Sequence, residues 1–231
     1  MSLSPEEWTT IVLSLRVALL ATLICLPISL ALAWLLARKN FWGKSALNSL
    51  IHLPLVLPPV VTGYLLLIAF GKRGVIGAFL EQTFGLVFAF RWTGAALAAA
   101  LMALPLMVRA IRLSIENIDQ RLEGAAATLG ASPLRVFATV TLPLAAPGLL
   151  VGTTLTYVKA LGEFGATITF VSNIPGQTQT LSLSIYSLLQ TPDGDAAALR
   201  LILLSIALAL AALLASELLA KRLTQRMTGT T

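Results

Sequence analysis

Residues Glu123–Pro143 read EGAAATLGASPLRVFATVTLP and lie between two long apolar runs of the chain. The segment has an acidic residue before a run of alanines, then Gly130, and then Leu142 and Pro143 at its far end. A chain rich in apolar runs seldom has a compact loop with small residues and proline at such spacing unless another molecule docks there. We therefore expect this loop, at about residues 119–142, to bind a partner.

The loop has the pattern of two short helices. One apolar stripe at i, i+3, i+4 and i+7 is formed by Leu122, Ala125, Ala126 and Leu129. Gly130 follows the stripe, as suits a helix C-terminus that turns sharply, and Pro133 is favoured at the first position of a second helix. Such a stub can bind in a groove on a partner protein, and the alternative is a helix that rests on lipid headgroups.

The composition indicates a membrane protein. Of its 231 residues, 57% are hydrophobic and 11% are charged, whereas soluble domains carry about a quarter charged residues. We predict an all-α integral membrane protein that forms one domain over residues 1–231, with its core at about 11–220. A helix needs roughly 20 residues to cross a hydrocarbon core. The segments long enough to do so are Ile11–Ala37, Ala46–Phe70, Leu86–Val108, Val136–Val158 and Ala196–Ala220.

A further segment, Phe164–Ile174, is too short and too rich in Thr, Ser and Asn to cross alone. Backbone of this kind is tolerated at membrane depth only where protein or a water-filled cavity surrounds it. We interpret it as a re-entrant or vestibule segment.

The distribution of Lys and Arg predicts the orientation of the spans. Cytoplasmic loops are enriched in these residues, so the richer set of loops is cytoplasmic, the N-terminus is outside and the C-terminus is inside. The loop at Glu123 then faces the cytoplasm, where ATP is available. The richer set carries Arg38, Lys39, Lys44, Arg109, Arg112, Arg121, Arg135, Lys221, Arg222 and Arg226, and the poorer set carries Lys72, Arg73, Arg91, Lys159 and Arg200.

Proline and glycine are concentrated in two of the predicted spans. They are Pro54, Pro58, Pro59 and Gly63 in the second span, and Pro143, Pro147, Gly148 and Gly152 in the fourth. Proline within a helix removes a hydrogen bond and kinks the helix, so we expect these spans to bend and to line a pathway. The alternative is that such residues are simply commoner in membrane helices.

The spans contain almost no ionisable residues and no constellation of catalytic groups. Ion-coupled transporters usually carry buried Asp, Glu, His or Lys, so we expect the driving force to enter somewhere other than these spans. A lone His52 and a lone Cys25 cannot form a zinc site, and no G-x-x-x-x-G-K-[ST] nucleotide loop occurs. The basic residues lie at the ends of the spans and not in one patch, which argues against nucleic acid as a partner.

The loop resembles the EAA loop of bacterial ABC-importer permeases, which contacts the cytoplasmic ATPase. Its motif has an acid at the position of Gly124, whereas the acid here is Glu123. Similarity to the permease subunit of molybdate ABC transporters spans nearly the whole chain. It is carried by FWGKSALNSLIHLPLVLPPVVTGYLLL (Phe41–Leu67), FGKRGVIG (Phe70–Gly77), LGEFGATITFVSNIPGQTQT (Leu161–Thr180) and IYSLLQTPDGDAAALRL (Ile185–Leu201). The resemblance assigns ATPase coupling to Glu123, Gly124, Ala125, Ala126, Leu129, Gly130, Leu142 and Pro143.

The resemblance implies a type I ABC-importer permease in the bacterial cytoplasmic (inner) membrane that imports molybdate, with tungstate as a second cargo. Such a subunit pairs with a second copy of itself, binds two cytoplasmic ATPase subunits and receives cargo from an extracytoplasmic binding protein. It binds no cofactor and is not an enzyme, because ATP and Mg bind to the ATPase. Two alternatives stay open: a sulfate or thiosulfate permease of the same fold, and a non-transporting membrane scaffold. The runs Pro54–Leu67 and Gly162–Gly176 favour molybdate.

Several side chains are candidates for the pathway or its gate. The hydroxyl groups that could contact a passing oxyanion belong to Thr62, Tyr64, Thr153, Thr154 and Thr156. The alternative is that the threonine hydroxyls bond to the helix carbonyl four residues earlier. Lys159 and Glu163 are four residues apart and form either a gate or an ordinary surface pair.

Overall fold

The computed structural model describes residues 4–228, and every regular element in this range is helical. A π-helical segment, Phe137–Thr141, lies between the seventh and eighth helices. Residues 1–3 and 229–231 of the predicted domain lie outside the described residues, as do the side chains of Lys221, Arg222 and Arg226. The helices are α1 (Pro5–Arg38), α2 (Lys44–Val56), α3 (Pro59–Phe70), α4 (Val75–Phe84), α5 (Trp92–Glu116), α6 (Gln120–Thr128), α7 (Pro133–Val136), α8 (Leu142–Leu144), α9 (Ala146–Leu161), α10 (Gly165–Val171), α11 (Leu181–Leu188) and α12 (Asp195–Thr228).

Helix α1 begins earlier than the apolar pattern predicts, at Pro5 and not at Ile11. The cause is a capping box, in which the Ser4 hydroxyl accepts from the Glu7 N–H at 3.1 Å and Glu7 Oε2 accepts from the Ser4 N–H at 2.8 Å. A polar first turn therefore precedes the apolar run. With 34 residues, α1 is about 51 Å long, which exceeds the thickness of a hydrocarbon core.

The third predicted span, Leu86–Val108, is displaced in the structure toward the C-terminus. Helix α5 begins at Trp92 and ends at Glu116. The residues before it are apolar enough for a helix, but Phe90 has φ +59° and lies in the left-handed region, where a helix cannot continue. At the other end, Arg112 and Glu116 pair at 2.7 Å one turn apart, and they extend the helix beyond the apolar run.

The second and fourth predicted spans are each broken into two helices, and neither is continuous. Helices α2 and α3 meet at 112°, and the segment from α7 to α8 meets α9 at 68°. The first break lies at Leu57, which is extended because it precedes Pro58. The second lies at Ala145, just before α9 and its Pro147. The predicted bending of the spans Ala46–Phe70 and Val136–Val158 is confirmed, and in both the bend is a complete break between helices.

Helix α5 lies at the centre of the bundle. It packs against α1, α9 and α10. The buried residues of its first half are mostly small, which allows these neighbours to approach closely. They include Gly94, Ala95, Ala98, Ala99 and Ala103.

Within residues 4–228, three helices, α1, α5 and α12, are long and apolar enough to cross a membrane. The count reaches the predicted five where each bent pair is taken as one span. Helix α12 agrees with the fifth predicted span and is the least covered of the three. Most of its apolar surface is therefore available to lipid.

Residues Phe164–Ile174 contain the seven-residue helix α10, which does not cross and packs against α3 and α5. The contact with α3 depends on Gly63, because a Cβ there would lie 2.5 Å from the carbonyl oxygen of Ala166. The short helices α4 and α11 have no counterpart among the predicted spans.

Candidate functional site

Helix α6 is an exposed stub on the described fold. Asp119 caps its N-terminus, with a carboxylate oxygen accepting from the Arg121 N–H at 2.9 Å. Within the described part of the chain no side chain of α6 is buried. Leu122 is 50% exposed and Leu129, which ends the helix, is 89% exposed. The predicted apolar stripe is therefore uncovered and open to a partner.

The C-terminus of α6 is a Schellman motif. The Gly130 N–H donates to the Ala127 carbonyl at 3.0 Å, and the Ala131 N–H donates to the Ala126 carbonyl at 3.2 Å. Gly130 has φ +84°, a conformation that residues with a side chain adopt at a cost. The predicted sharp turn at Gly130 is confirmed.

The second half of the loop leads directly into a break in the helical path. Helix α7 begins at Pro133, as predicted, and the hydroxyl of Ser132 accepts from the Arg135 N–H at 3.4 Å. The π-helical segment follows and gives way to α8, which contains Leu142 and Pro143. The last two motif residues thus lie next to the 68° bend that leads to α9.

Glu123 is anchored to two distant parts of the chain. Its Oε2 lies 3.0 Å from Arg38 Nε at the end of α1, and its Oε1 accepts from the Thr141 hydroxyl at 2.6 Å. Arg38 also donates to the Ile118 carbonyl at 3.3 Å. The side chains of Arg38 and Glu123 are only 9% and 18% exposed. The acid therefore holds the stub against α1 and the π-helical segment.

This anchor divides the predicted coupling residues into two groups. Glu123 bonds to the protein, whereas Gly124 and Ala125 are exposed and Ala126 is half-buried. The contact between Glu123 and Arg38 has no local signal, because the two residues are 85 positions apart. Contact between the loop and an ATPase stays a prediction.

Lys159 and Glu163 form an ion pair at the end of α9. Lys159 Nζ lies 2.7 Å from Glu163 Oε2, and Glu163 Oε1 accepts from the Ala166 N–H at 3.1 Å. The Glu163 side chain is 2% exposed and that of Lys159 is 35% exposed. Because the carboxylate is buried, this pair differs from an ordinary surface pair, and it ties α9 to the start of α10.

The candidate hydroxyl groups differ in their free hydrogen-bonding capacity. Thr153 and Thr154 donate to the carbonyls four residues earlier, at 2.6 and 2.9 Å, which is the local alternative stated above. Thr62 and Thr156 are buried, and neither hydroxyl has a partner among the described residues. Tyr64 is exposed on α3. A buried hydroxyl without a partner is costly, so Thr62 and Thr156 are the stronger candidates to contact a polar ligand.

His52 lies in the second half of α2, where its Nδ1 is 2.8 Å from the Asn48 carbonyl. This agrees with a hydrogen-bonded structural role.

Three comparisons with known proteins agree with this architecture. The family model described as "Binding-protein-dependent transport system inner membrane component" matches residues 26–225. The Molybdenum transport system permease protein ModB of Escherichia coli (strain K12) is 58% identical over 96% of this chain and 96% of its own. A Sulfate transport system permease protein, CysT of Salmonella typhimurium, is 36% identical over 84% of this chain and 70% of its own.

Among solved structures, a bacterial ABC transporter that imports the polysaccharide alginate superposes with a TM-score of 0.76, at 19% identity over 95% of this chain and 80% of that one. The MetNI methionine ABC transporter, in an inward-facing conformation, superposes with a TM-score of 0.67, at 16% identity over 94% and 93%. At these identities the likeness shows the fold alone, which is that of type I ABC-importer permeases.

Proposed function

The chain belongs to the family of binding-protein-dependent transport system inner membrane components, and on this premise we propose that it is the membrane-spanning permease subunit of an ATP-driven molybdate importer. The observation that supports molybdate as the cargo is the 58% identity to a molybdenum transport permease over nearly the full length of both chains. Tungstate is the second cargo in this proposal, because it is a tetrahedral dianion of nearly the same size.

The exposed stub supports coupling to an ATPase. Helix α6 presents an uncovered apolar stripe. The turn at Gly130 ends the helix, and the ion pair between Glu123 and Arg38 holds its first turn against α1. A preorganised helix of this kind is suited to binding in a groove on a partner. We assign Gly124, Ala125 and Leu129 to the contacting face and Glu123 to the anchor.

The working assembly in this proposal is a homodimer of the chain with two cytoplasmic ATPase subunits and an extracytoplasmic binding protein. The N-terminus lies outside and the C-terminus in the cytoplasm of a bacterial inner membrane. The whole chain, residues 1–231, acts as one domain. ATP and Mg bind to the ATPase, and this subunit is a translocation pathway and not an enzyme.

Coupling follows from how the loop is connected. A displacement of α6 is transmitted through Glu123 to α1 and to the π-helical segment, and from there to the bend before α9. Each nucleotide state must favour one conformer by several kcal/mol for the pathway to alternate. The docking contact supplies this difference.

A sulfate-type oxyanion permease is the second candidate, because a sulfate permease subunit is 36% identical over 84% of this chain. The higher identity to molybdenum permeases makes sulfate the weaker cargo.

Reconstitution tests the proposal. The chain is incorporated into proteoliposomes with its candidate ATPase and binding protein, and ATP-dependent uptake of radiolabelled molybdate is measured with unlabelled tungstate or sulfate as competitor. We expect tungstate to compete strongly and sulfate weakly. Uptake that proceeds without the ATPase, or labelling of the α6 stub from the outer face, would contradict the proposal.

A further inference from the structure

A cavity of about 790 Å³ lies at the end of the bundle opposite the coupling loop. Its lining includes Arg16, Lys72, Glu81, Arg91, Trp92 and Gln177. Arg16 and Arg38 belong to the same helix and are about 33 Å apart along its axis, close to the thickness of a hydrocarbon core. In the proposed orientation the cavity therefore opens on the extracytoplasmic face.

Uncompensated positive charge is concentrated in this cavity. Of the external cations outside the cavity, Lys159 and Arg200 are neutralised by close ion pairs at 2.7 and 2.9 Å, and Arg73 lies next to Lys72 but outside the lining. In the cavity, by contrast, Arg91 has no carboxylate within ion-pair distance among the described residues, and Arg16 lies over the Trp92 ring at 5.5 Å. Extracytoplasmic loops normally carry few cations, so a cluster on this side needs a reason.

Among the described residues that line the cavity, the one carboxylate, Glu81, compensates little of this charge. Glu81 lies 3.7 Å from Lys72 Nζ, and the two side chains are 38% and 71% exposed. An exposed pair at this distance is weak. The cavity thus keeps a surplus of two positive charges from its three cations.

The wall of the cavity also contains a strained residue. Phe90 has φ +59° and lines the cavity immediately before Arg91. Non-glycine residues in this region cost free energy and cluster at ligand sites. The turn at Phe90 places Arg91 in the lining of the cavity. If residues 86–91 were helical instead, Arg91 would lie at a different angle around the helix axis.

We propose that this cavity binds a free tetrahedral oxyanion, and that it is the point at which the permease first contacts its dianionic cargo. The inference rests on the proposed function for the identity of the cargo. Arginine binds such anions through paired, charge-assisted hydrogen bonds. The phosphate of an anionic lipid headgroup has the same chemistry, so the test must separate these two sources.

The full-length chain is inserted into phosphatidylcholine nanodiscs, and binding of radiolabelled molybdate is measured by equilibrium dialysis at low ionic strength. The variant Arg91→Gln should raise the dissociation constant about tenfold, since it removes a charge-assisted contact. Glu81→Gln should tighten binding, because it removes the one negative charge. Arg73→Gln is the matched control: it makes the same charge change next to Lys72 but does not line this cavity.

A gain of affinity in Glu81→Gln cannot result from misfolding, so the test remains decisive if Arg91→Gln is unstable. Unchanged binding in both variants would overturn the proposal. An equal loss in Arg73→Gln and Arg91→Gln would also overturn it, because binding would then reflect diffuse surface charge. Native mass spectrometry adds the lipid arm: phosphatidylglycerol retained by the wild type and lost in Arg91→Gln, without molybdate binding, would identify a headgroup site and refute a cargo site.

The two proposals fail separately. ATP-dependent molybdate uptake by the complete complex, with no change of binding in any variant, would support the proposed function and refute the proposal that the cavity binds the cargo. Molybdate binding that depends on Arg91 and Glu81, without uptake of any oxyanion, would keep the site and remove the importer function.

Discussion

The anchor of the coupling stub allows a quantitative prediction for Glu123→Gln. The substitution keeps an acceptor for the Thr141 hydroxyl but leaves the Arg38 guanidinium, 9% exposed, without a carboxylate. Removing one partner of a fully buried ion pair costs about 3–5 kcal/mol. Because Glu123 is 18% exposed, solvent screens part of this, and we expect about 2 kcal/mol. This corresponds to a roughly 30-fold increase in local opening of α6.

Hydrogen–deuterium exchange followed by mass spectrometry measures this opening directly. The peptide that covers Gln120–Thr128 should exchange faster in Glu123→Gln, while peptides from α5 should not change. Glu116→Gln is the control. Glu116 pairs with Arg112, one turn earlier on the same helix, and such a pair stabilises a helix by only about 0.2–0.5 kcal/mol. Exchange in α6 should be the same in the control and in the wild type.

A double-mutant cycle with Arg38→Gln tests whether Glu123 acts through Arg38. If the two side chains stabilise the stub through each other, the combined variant should lose less than the sum of the two single variants. Additive effects, or unchanged exchange of α6 in Glu123→Gln, would show that the ion pair does not hold the stub.

Three further predictions concern other parts of the fold. Gly130→Val should abolish cargo-stimulated ATP turnover in the reconstituted complex, because valine tolerates a φ of +84° poorly; normal turnover would contradict our account of the loop. Gly63→Ala should lower the thermal unfolding temperature in detergent, since a Cβ 2.5 Å from the Ala166 oxygen forces two helices apart, at about 1–3 kcal/mol. Lys159→Gln should destabilise the protein more than Glu163→Gln, because only the former leaves a buried carboxylate without its cation. Equal shifts of the melting temperature would contradict this. Molybdate uptake at the wild-type rate in both variants would show that the pair has no role in transport.

The coupling loop could be predicted from the sequence because its signals are local. Helical spacing, a glycine that ends a helix and a proline that begins one all act within a few residues. They gave α6, the turn at Gly130 and the start of α7 correctly. The start of α1 also has a local signal, the pair Ser4 and Glu7, which the apolar pattern alone does not capture.

The errors have a common physical cause. Hydropathy reports how apolar a segment is, but not whether its backbone is helical. The residues before α5 are apolar and end in the left-handed turn at Phe90, so the span predicted from Leu86 becomes helical only at Trp92. The anchor of Glu123 on Arg38 depends on the tertiary arrangement of α1 and α6, which no pattern within either segment contains.

Helix α9 begins directly after the bend at Ala145, so a rotation at the bend displaces the far end of the helix most. The helix has 16 residues, or about 24 Å of length, so a rotation of about 10° at the bend moves its far end by roughly 4 Å. That end carries Lys159 and, just beyond it, the buried carboxylate of Glu163. A small tilt at the bend is thereby enlarged into a displacement of several ångströms at the opposite end of the helix.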